Sequence, residues 1–134
     1  MALHYYRTKK ILWVKGEKKT QYIVKHRVQG TYTEEDIAEK LTKSLSMEAP
    51  EVLLLMDELA DQITSAVLNG QRVKVDGLGT FSPSLKTKSN ENLEDVTTDS
   101  IQKVKINFRP DVKLKRAMDD TKLEYYSQIK TQYV

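Results

Sequence analysis

The sequence predicts an α+β fold that begins with a β-hairpin and continues with two helices, antiparallel strands and a short last helix. Three observations predict it. An apolar-periodic run over residues 50–68 indicates a long helix, and strict alternation over Lys103–Arg109 indicates an amphipathic strand. Between them, Leu68–Phe81 contains a helix stop, a short strand and a corner with two glycines.

Composition excludes several classes of protein. The 134 residues are enough for one domain with a real core, and they include no cysteine and only two histidines, His4 and His26. The longest apolar run, Val52–Met56, is far too short to span a membrane. The first ten residues hold no apolar stretch of signal-peptide length, so we expect a cytoplasmic protein without a membrane partner.

Charge is segregated along the chain. Residues 1–30 hold eight Lys or Arg and one acid, residues 31–70 hold two Lys and nine acids, and residues 103–118 hold six Lys or Arg and one acid. The predicted strands are therefore basic, and the helical middle of the chain is acidic. This distribution is expected if the strands face a polyanion.

The first predicted element is a β-hairpin over residues 3–28. Ile11–Val14 and Gln21–Val24 are rich in aromatic and β-branched residues, and Lys15–Lys18 between them is a plausible turn. We interpret this unit mainly as a structural extension that covers a sheet edge or packs on the body. A direct ligand-binding role is the alternative.

Two helices are predicted next. Thr33 is a good N-cap before three acids, and the first helix should end near Ser46. The second should run from Pro50 to Leu68 and end at Asn69-Gly70. Its apolar stripe is wider than one face, which suggests burial against a second subunit as well as against the first helix.

The strands follow the second helix. Val73 and Val75 alternate with polar residues, and Gly77 and Gly79 allow a sharp bend. Phe81–Lys88 should then form an edge strand, because it contains a proline.

The rest of the chain is less regular. Ser89–Gln102 is polar and predicts a mobile loop or an arm tip before the strand Lys103–Arg109. Val112, Leu114 and Met118 support a short last helix. The sequence assigns no structure to the tail, residues 119–134.

From Thr33 to Met118 the chain resembles the HU/IHF family of bacterial histone-like DNA-binding proteins. The resemblance lies in Asn69-Gly70 after a long helix, in the corner Val73–Phe81, and in Phe108-Arg109-Pro110, which follows Phe81 by 27 positions. The basic extension before this core resembles the variant histone-like proteins of the Bacteroides group.

The resemblance implies an HU/IHF-like fold with a helical base, an antiparallel β-sheet saddle and a protruding β-arm. It places the extension at residues 1–32, the DNA-binding domain at 33–118 with the arm at about 82–107, and a C-terminal tail at 119–134. It further implies a homodimer that binds double-stranded DNA in the nucleoid as an architectural protein. Phosphate neutralisation by Lys and Arg would supply affinity without sequence preference.

The candidate DNA-binding residues are the cations on the polar sides of the predicted strands. They are Arg72, Lys74, Lys86, Lys88, Lys103, Lys105 and Arg109.

The chain departs from the family at the arm tip. Family members carry an Arg-Asn-Pro motif there, whereas residues 90–95 contain acids and neither a proline nor a basic residue. We therefore expect weak kinking of DNA, modest affinity and a strong dependence on salt.

Other functions are less favoured. No nucleophile, base or phosphate-binding loop is assembled, so we expect no enzyme, no catalytic or metal-binding residues, no cofactor and no small-molecule substrate. The main alternative is an HU-fold protein-interaction module that has lost strong DNA binding. A third option is unpaired nucleic acid stacked on Tyr5, Tyr6 or Trp13, which we interpret mainly as packing residues.

Overall fold

The computed structural model describes residues 2–127. They fall into two compact units: residues 32–116 form one, and residues 2–31 with 117–127 form the other. In chain order the elements are β1 (Ala2–Val14), β2 (Glu17–His26), α1 (Glu34–Ser44), α2 (Ala49–Leu68), β3 (Val73–Val75), β4 (Gly79–Thr87), β5 (Ile101–Pro110), α3 (Val112–Asp119) and β6 (Lys122–Tyr125). The α+β prediction is confirmed, including the N-terminal hairpin.

The N-terminal unit is a three-stranded sheet in the order β2-β1-β6. β1 and β2 pair antiparallel along their length, from Tyr5 opposite His26 to Val14 opposite Glu17. Only Lys15 and Gly16 connect them, with φ angles of 51° and 77°. Two positive φ angles are typical of the tight turns whose twist matches that of a hairpin.

Strand β6 lies in the tail to which the sequence assigned no structure. It pairs parallel with the start of β1, placing Leu3 beside Leu123 and Tyr5 beside Tyr125. Four residues are too few to show a period of two, so this strand depends on pairing that sequence alone does not reveal. The rest of the predicted tail, residues 128–134, lies outside the described residues.

The two main helices begin and end close to the predicted positions. At the start of α1, the Asp36 N–H donates to the Thr33 hydroxyl, and the Thr33 N–H donates to the Asp36 carboxylate at 2.9 Å. These two bonds form a capping box, and the backbone and hydroxyl donors of Thr33 lower the pKa of Asp36. α2 ends at Leu68 and is followed by the cap Asn69 and by Gly70, whose φ is 82°. No helix within residues 2–127 is long and apolar enough to cross a membrane.

The core of a single chain is small. Among the described residues, the buried apolar side chains are Ala38, Val52 and Val67. On α2, Leu54 and Leu55 stay 62% and 56% exposed. The wide apolar surface predicted for α2 is therefore present, and one chain leaves much of it open to solvent.

The second sheet has the order β3-β4-β5, so β4 is its central strand. The prediction of an edge strand over Phe81–Lys88 is wrong at Phe81, which pairs with both neighbours, and is confirmed from Ser82 to Thr87, which pair with β5 alone. Pro83 lies beyond the residues paired with β3 and faces only Ile106 of β5. A proline is tolerated here because β4 has a partner on one side only at this point.

Hydrogen bonds organise the connection between β4 and β5, where the sequence predicted a mobile loop or an arm tip. It contains two 3-10 turns, Leu93–Asp95 and Thr98–Ser100. The Ser100 hydroxyl is buried and accepts hydrogen bonds from the Asn90 amide at 3.0 Å and from the Thr97 N–H at 3.2 Å. The segment is the closed end of a two-stranded arm.

Candidate nucleic-acid interface

Cross-strand pairing brings the basic residues of the second sheet together. Lys74 of β3 lies opposite Thr80 of β4, which lies opposite Arg109 of β5. Further along, Ser84 of β4 pairs with Lys105, and Lys86 of β4 pairs with Lys103. Residues that are directly opposite in an antiparallel pair point to the same face. Cations from all three strands therefore share one face.

We call this surface the basic face. It contains five cations, four hydroxyl or amide side chains and no acid. Its residues are Lys74, Thr80, Ser82, Ser84, Lys86, Lys103, Lys105, Asn107 and Arg109. The alternate residues of β4 and β5, such as Phe81, Phe108 and Ile106, make the other face apolar. The face carries a positive field and side chains that can donate to phosphate oxygens.

The corner before β4 fixes the sheet to the chain that follows it. The Phe81 and Phe108 rings pack with centroids 4.9 Å apart. A Cβ at Gly79 would lie 2.7 Å from the Phe108 ring and would also collide with the Arg109 carbonyl. Glycine is therefore required for β4 to approach β5 this closely.

Asp111 joins the same corner to the start of α3. Its carboxylate accepts the Gly77 N–H at 2.7 Å and the Val112 N–H at 2.8 Å. These two backbone hydrogen bonds, that from Gly77 first, lower the pKa of Asp111. The Asp111 N–H in turn donates to the Leu78 carbonyl at 3.0 Å.

One cation that the sequence did not select belongs beside the basic face. Lys115 of α3 lines an open cleft of about 200 Å³ together with Lys74, Thr80 and Arg109. The sequence did not identify Lys115, because Lys115 lies far along the chain from the strands and no sequence pattern specifies how α3 packs beside them. Lys74 is also 3.8 Å from the Asp76 carboxylate, in an exposed ion pair.

Two of the seven predicted residues are not on the paired strands. Arg72 precedes β3 by one residue, and Lys88 follows β4 by one residue. The register shifts between Lys86 and Thr87, and the Lys88 N–H donates to the Ser100 carbonyl at 2.7 Å. Strand pairing therefore does not place Lys88 on the basic face, although the sequence put it beside Lys86.

The closed end of the arm has the opposite charge. It carries Glu91, Glu94, Asp95 and Asp99, all exposed, and Leu93 is 87% exposed. Neither basic residues nor proline occur between Ser89 and Ser100. Over residues 2–127, no group of three or more His, Asp or Glu is placed to hold a metal ion.

Comparisons with known proteins show which family this chain resembles. A family model described as an HU domain fused to wHTH, Ig, or glycine-rich motif matches residues 1–125. The chain is 28% identical over 98 residues to integration host factor subunit alpha of Marinomonas sp. (strain MWYL1), covering 68% of this chain and 95% of that protein. It is 28% identical over 99 residues to the same subunit of Actinobacillus succinogenes, covering 69% and 96%.

One solved structure has a similar fold. It is a crystal structure of a candidate bacterial DNA-binding protein from Bacteroides vulgatus ATCC 8482, with a TM-score of 0.65 and 14% sequence identity. The match covers 92% of this chain and 47% of that one, so this chain spans about half of the other protein.

Proposed function

The chain belongs to the family of HU domains fused to wHTH, Ig, or glycine-rich motif, and from this membership we propose that it is a histone-like architectural protein that binds double-stranded DNA. Two of the proteins similar to it are alpha subunits of integration host factor. The proposed binding is largely independent of base sequence and takes place in the nucleoid. The domain responsible is residues 33–118, with the arm at about 82–107.

The observation that carries this proposal is the basic face. Five cations with no acid among them attract phosphates, and release of counterions from DNA supplies affinity at any sequence. The hydroxyl and amide groups of Ser84 and Asn107 can donate to phosphate oxygens and fix the register on the duplex. We propose that Arg72, Lys88 and Lys115 extend this contact surface.

We further propose that the binding unit is a homodimer. The three buried apolar residues cannot account for a core in a domain with two substantial helices. An open apolar cleft of about 360 Å³ lies between α2 and the arm strands, lined by Val67, Leu68, Pro83, Val104 and Ile106 among others. A second copy that covers this surface would complete the core.

The test is binding of a random duplex of about 30 base pairs at several salt concentrations. We expect log affinity to fall linearly with log salt. Replacing Lys103 and Lys105 by alanine should reduce that slope by roughly two units per subunit, and adding Arg109→Ala should bring the reduction to roughly three. The matched control is Lys40→Ala with Lys43→Ala, which removes two exposed lysines from α1 and should barely change the slope.

A protein-interaction module with the same fold is the second candidate. The acidic end of the arm favours it, because Glu91, Glu94 and Asp95 would be repelled by phosphate. A folded dimer that binds no duplex even at low salt would refute the DNA proposal and leave this one.

A further inference from the structure

We propose that one face of the N-terminal sheet binds single-stranded nucleic acid, by stacking unpaired bases on aromatic side chains that alternate with cations. This site lies in a different unit from the basic face, so it adds a second activity to the proposed duplex binding. The proposal rests on which residues share this face, how exposed they are, and where the charges lie.

Sheet pairing defines the surface, which we call the aromatic face. It consists of the odd-numbered residues of β1 and β6 and the even-numbered residues of β2. The ten β1–β2 pairs run from Tyr5 to Val14 without a register shift, so alternation is preserved along the whole hairpin. Tyr5, Trp13, Tyr22 and Tyr125 all belong to this face.

The aromatic face is half-buried at Leu3 and Tyr5 and open further along the hairpin. Trp13 is 71% exposed, Tyr22 74% and Tyr125 49%. On the other face, Leu12 and Ile23 are half-buried. Within the described residues, nothing packs over most of either ring, although the sequence interpretation expected Trp13 mainly to pack. Their rings are free to stack on another planar group.

Cations stand next to these rings. Lys9 lies opposite Tyr22, and Trp13 lies opposite Lys18. The Arg7 guanidinium lies 4.9 Å from the centre of the Tyr125 ring and donates to its hydroxyl at 3.4 Å. The acids of these strands, Glu17 and Glu124, fall on the other face. The aromatic face therefore presents rings and positive charge without any carboxylate.

One end of the aromatic face also contains an open cavity. Its volume is about 470 Å³, and it is lined mainly by apolar groups from Leu3, Tyr5, Val24, His26 and Leu123, with His4 of the other face at its edge. Pockets of this size accept small planar ligands. An unpaired base could enter it and stack against Tyr5, while the His26 ring offers a polar partner for the base edge.

This chemistry favours a single strand over the other occupants. In a duplex, the flat faces of the bases are stacked on each other and unavailable to Trp13 and Tyr22, whereas an unpaired strand exposes them. The centres of protein interfaces are depleted of lysine, yet Lys9 and Lys18 lie directly beside the rings. Rings that bind bases between cations that bind phosphates are typical of sequence-tolerant single-strand binding.

Trp13 supplies a direct probe because it is the only tryptophan in the chain. The experiment titrates the full chain with oligothymidine and oligouridine of about 20 nucleotides while recording Trp13 fluorescence. A duplex of the same length is titrated in parallel. We expect both single strands to quench Trp13 and the duplex to leave it nearly unchanged.

Variants locate the binding by anisotropy of a labelled oligonucleotide. Trp13→Ala with Tyr22→Ala should weaken single-strand binding by roughly tenfold to a hundredfold per ring, with duplex binding unchanged. Lys9→Ala with Lys18→Ala should also weaken it. Lys10→Ala with Lys19→Ala removes the same charge from the opposite face and should have a much smaller effect. Circular dichroism confirms that each variant is folded.

Two outcomes would overturn the proposal. In the first, single strands bind without changing Trp13 fluorescence, and the Lys103→Ala, Lys105→Ala variant abolishes the binding. In the second, the Trp13 and Tyr22 variant loses self-association or a protein partner but keeps its single-strand affinity, so that the face is a protein interface. A different result would refute only the proposed function. In that case the full chain does not bind the duplex, while single strands still quench Trp13 fluorescence.

Discussion

The carboxylate of Asp111 accepts the backbone N–H of Gly77, 34 residues earlier in the chain, at 2.7 Å. The same carboxylate accepts the N–H of Val112 at the start of α3. One side chain therefore holds the glycine corner before β4 against the end of β5. β3, which carries Lys74, leads into this corner, and β5, which carries Arg109, ends beside it, so the corner's geometry sets the shape of the basic face.

We expect Asp111→Asn to destabilise the protein at neutral pH and to reduce its loss of stability in acid. The hydrogen bonds from Gly77 and Val112 lower the pKa of Asp111 in the folded state. Its contribution is therefore complete above the unfolded pKa of about 3.9 and is lost as pH falls through the lower folded value. Thermal unfolding at pH values from about 2 to 7 measures both effects.

Asp76→Asn is the matched control for Asp111→Asn. Asp76 lies in the same turn, but its side chain is 93% exposed and its contact is the ion pair with Lys74. Exposed pairs contribute little, so the control should unfold almost like the native chain. Equal stability curves for the two variants would show that the Asp111 hydrogen bonds do not hold the corner.

Gly79→Ala should destabilise the protein by about 1–3 kcal/mol, the range typical of overpacking. The added methyl group would collide with the Phe108 ring and with the Arg109 backbone, neither of which can move without disturbing β5. Gly70→Ala is the control, because Gly70 also has a positive φ but nothing lies within 4 Å of its Cβ position. Urea unfolding compares the two. A smaller effect at Gly79 than at Gly70 would contradict the close-packing argument.

Local signals in the sequence were sufficient for much of this fold. The Thr33 cap, the Gly70 stop and the alternation over Lys103–Arg109 each depend on neighbours within a few residues, and the structure has each element close to its predicted place. Alternation also predicted which side of β5 is basic. It could not predict that the register shifts after Lys86 and so separates Lys88 from the strand face.

The features that sequence missed depend on contacts between distant segments. β6 is a strand because Leu123 and Tyr125 lie beside Leu3 and Tyr5, more than a hundred residues away. Lys115 reaches the basic face only through the packing of α3 near β3 and β5. Trp13 is exposed because it lies on the face of β1 that other segments leave uncovered. Alternation of residues along a strand shows that there are two faces but does not say which one is covered.

Leu55→Glu should convert the proposed dimer into monomers. Leu55 is 56% exposed in one chain and lies on the apolar surface of α2 that a second copy would cover. Burial of a leucine side chain stabilises by about 1.5–3 kcal/mol. A two-fold interface contains this residue twice, so the variant dimer loses that stabilisation twice and must also bury two charges. Light scattering should give 15.5 kDa for the variant and about twice that for the native chain.

Leu93→Glu makes the same substitution at the arm tip, where the side chain is 87% exposed, and should leave the mass unchanged. A Leu55→Glu protein that stays dimeric and folded would place the dimer interface elsewhere. A native chain that is monomeric at micromolar concentration would refute the homodimer.

Neutralising the arm tip should raise the affinity for duplex DNA. Glu94 and Asp95 are exposed within a 3-10 turn that lacks a basic residue, so a duplex lying along the arm would bring its phosphates near these carboxylates. Interactions between exposed charges are worth about 0.2–1 kcal/mol each, so Glu94→Gln with Asp95→Asn should tighten binding roughly twofold to thirtyfold at low salt. Since salt screens the repulsion, the gain in affinity should shrink as salt rises.

The control, Glu58→Gln with Asp57→Asn, makes the same changes on α2 and should give a smaller gain. Equal gains from both pairs would mean that only net charge matters and that DNA does not approach the arm tip.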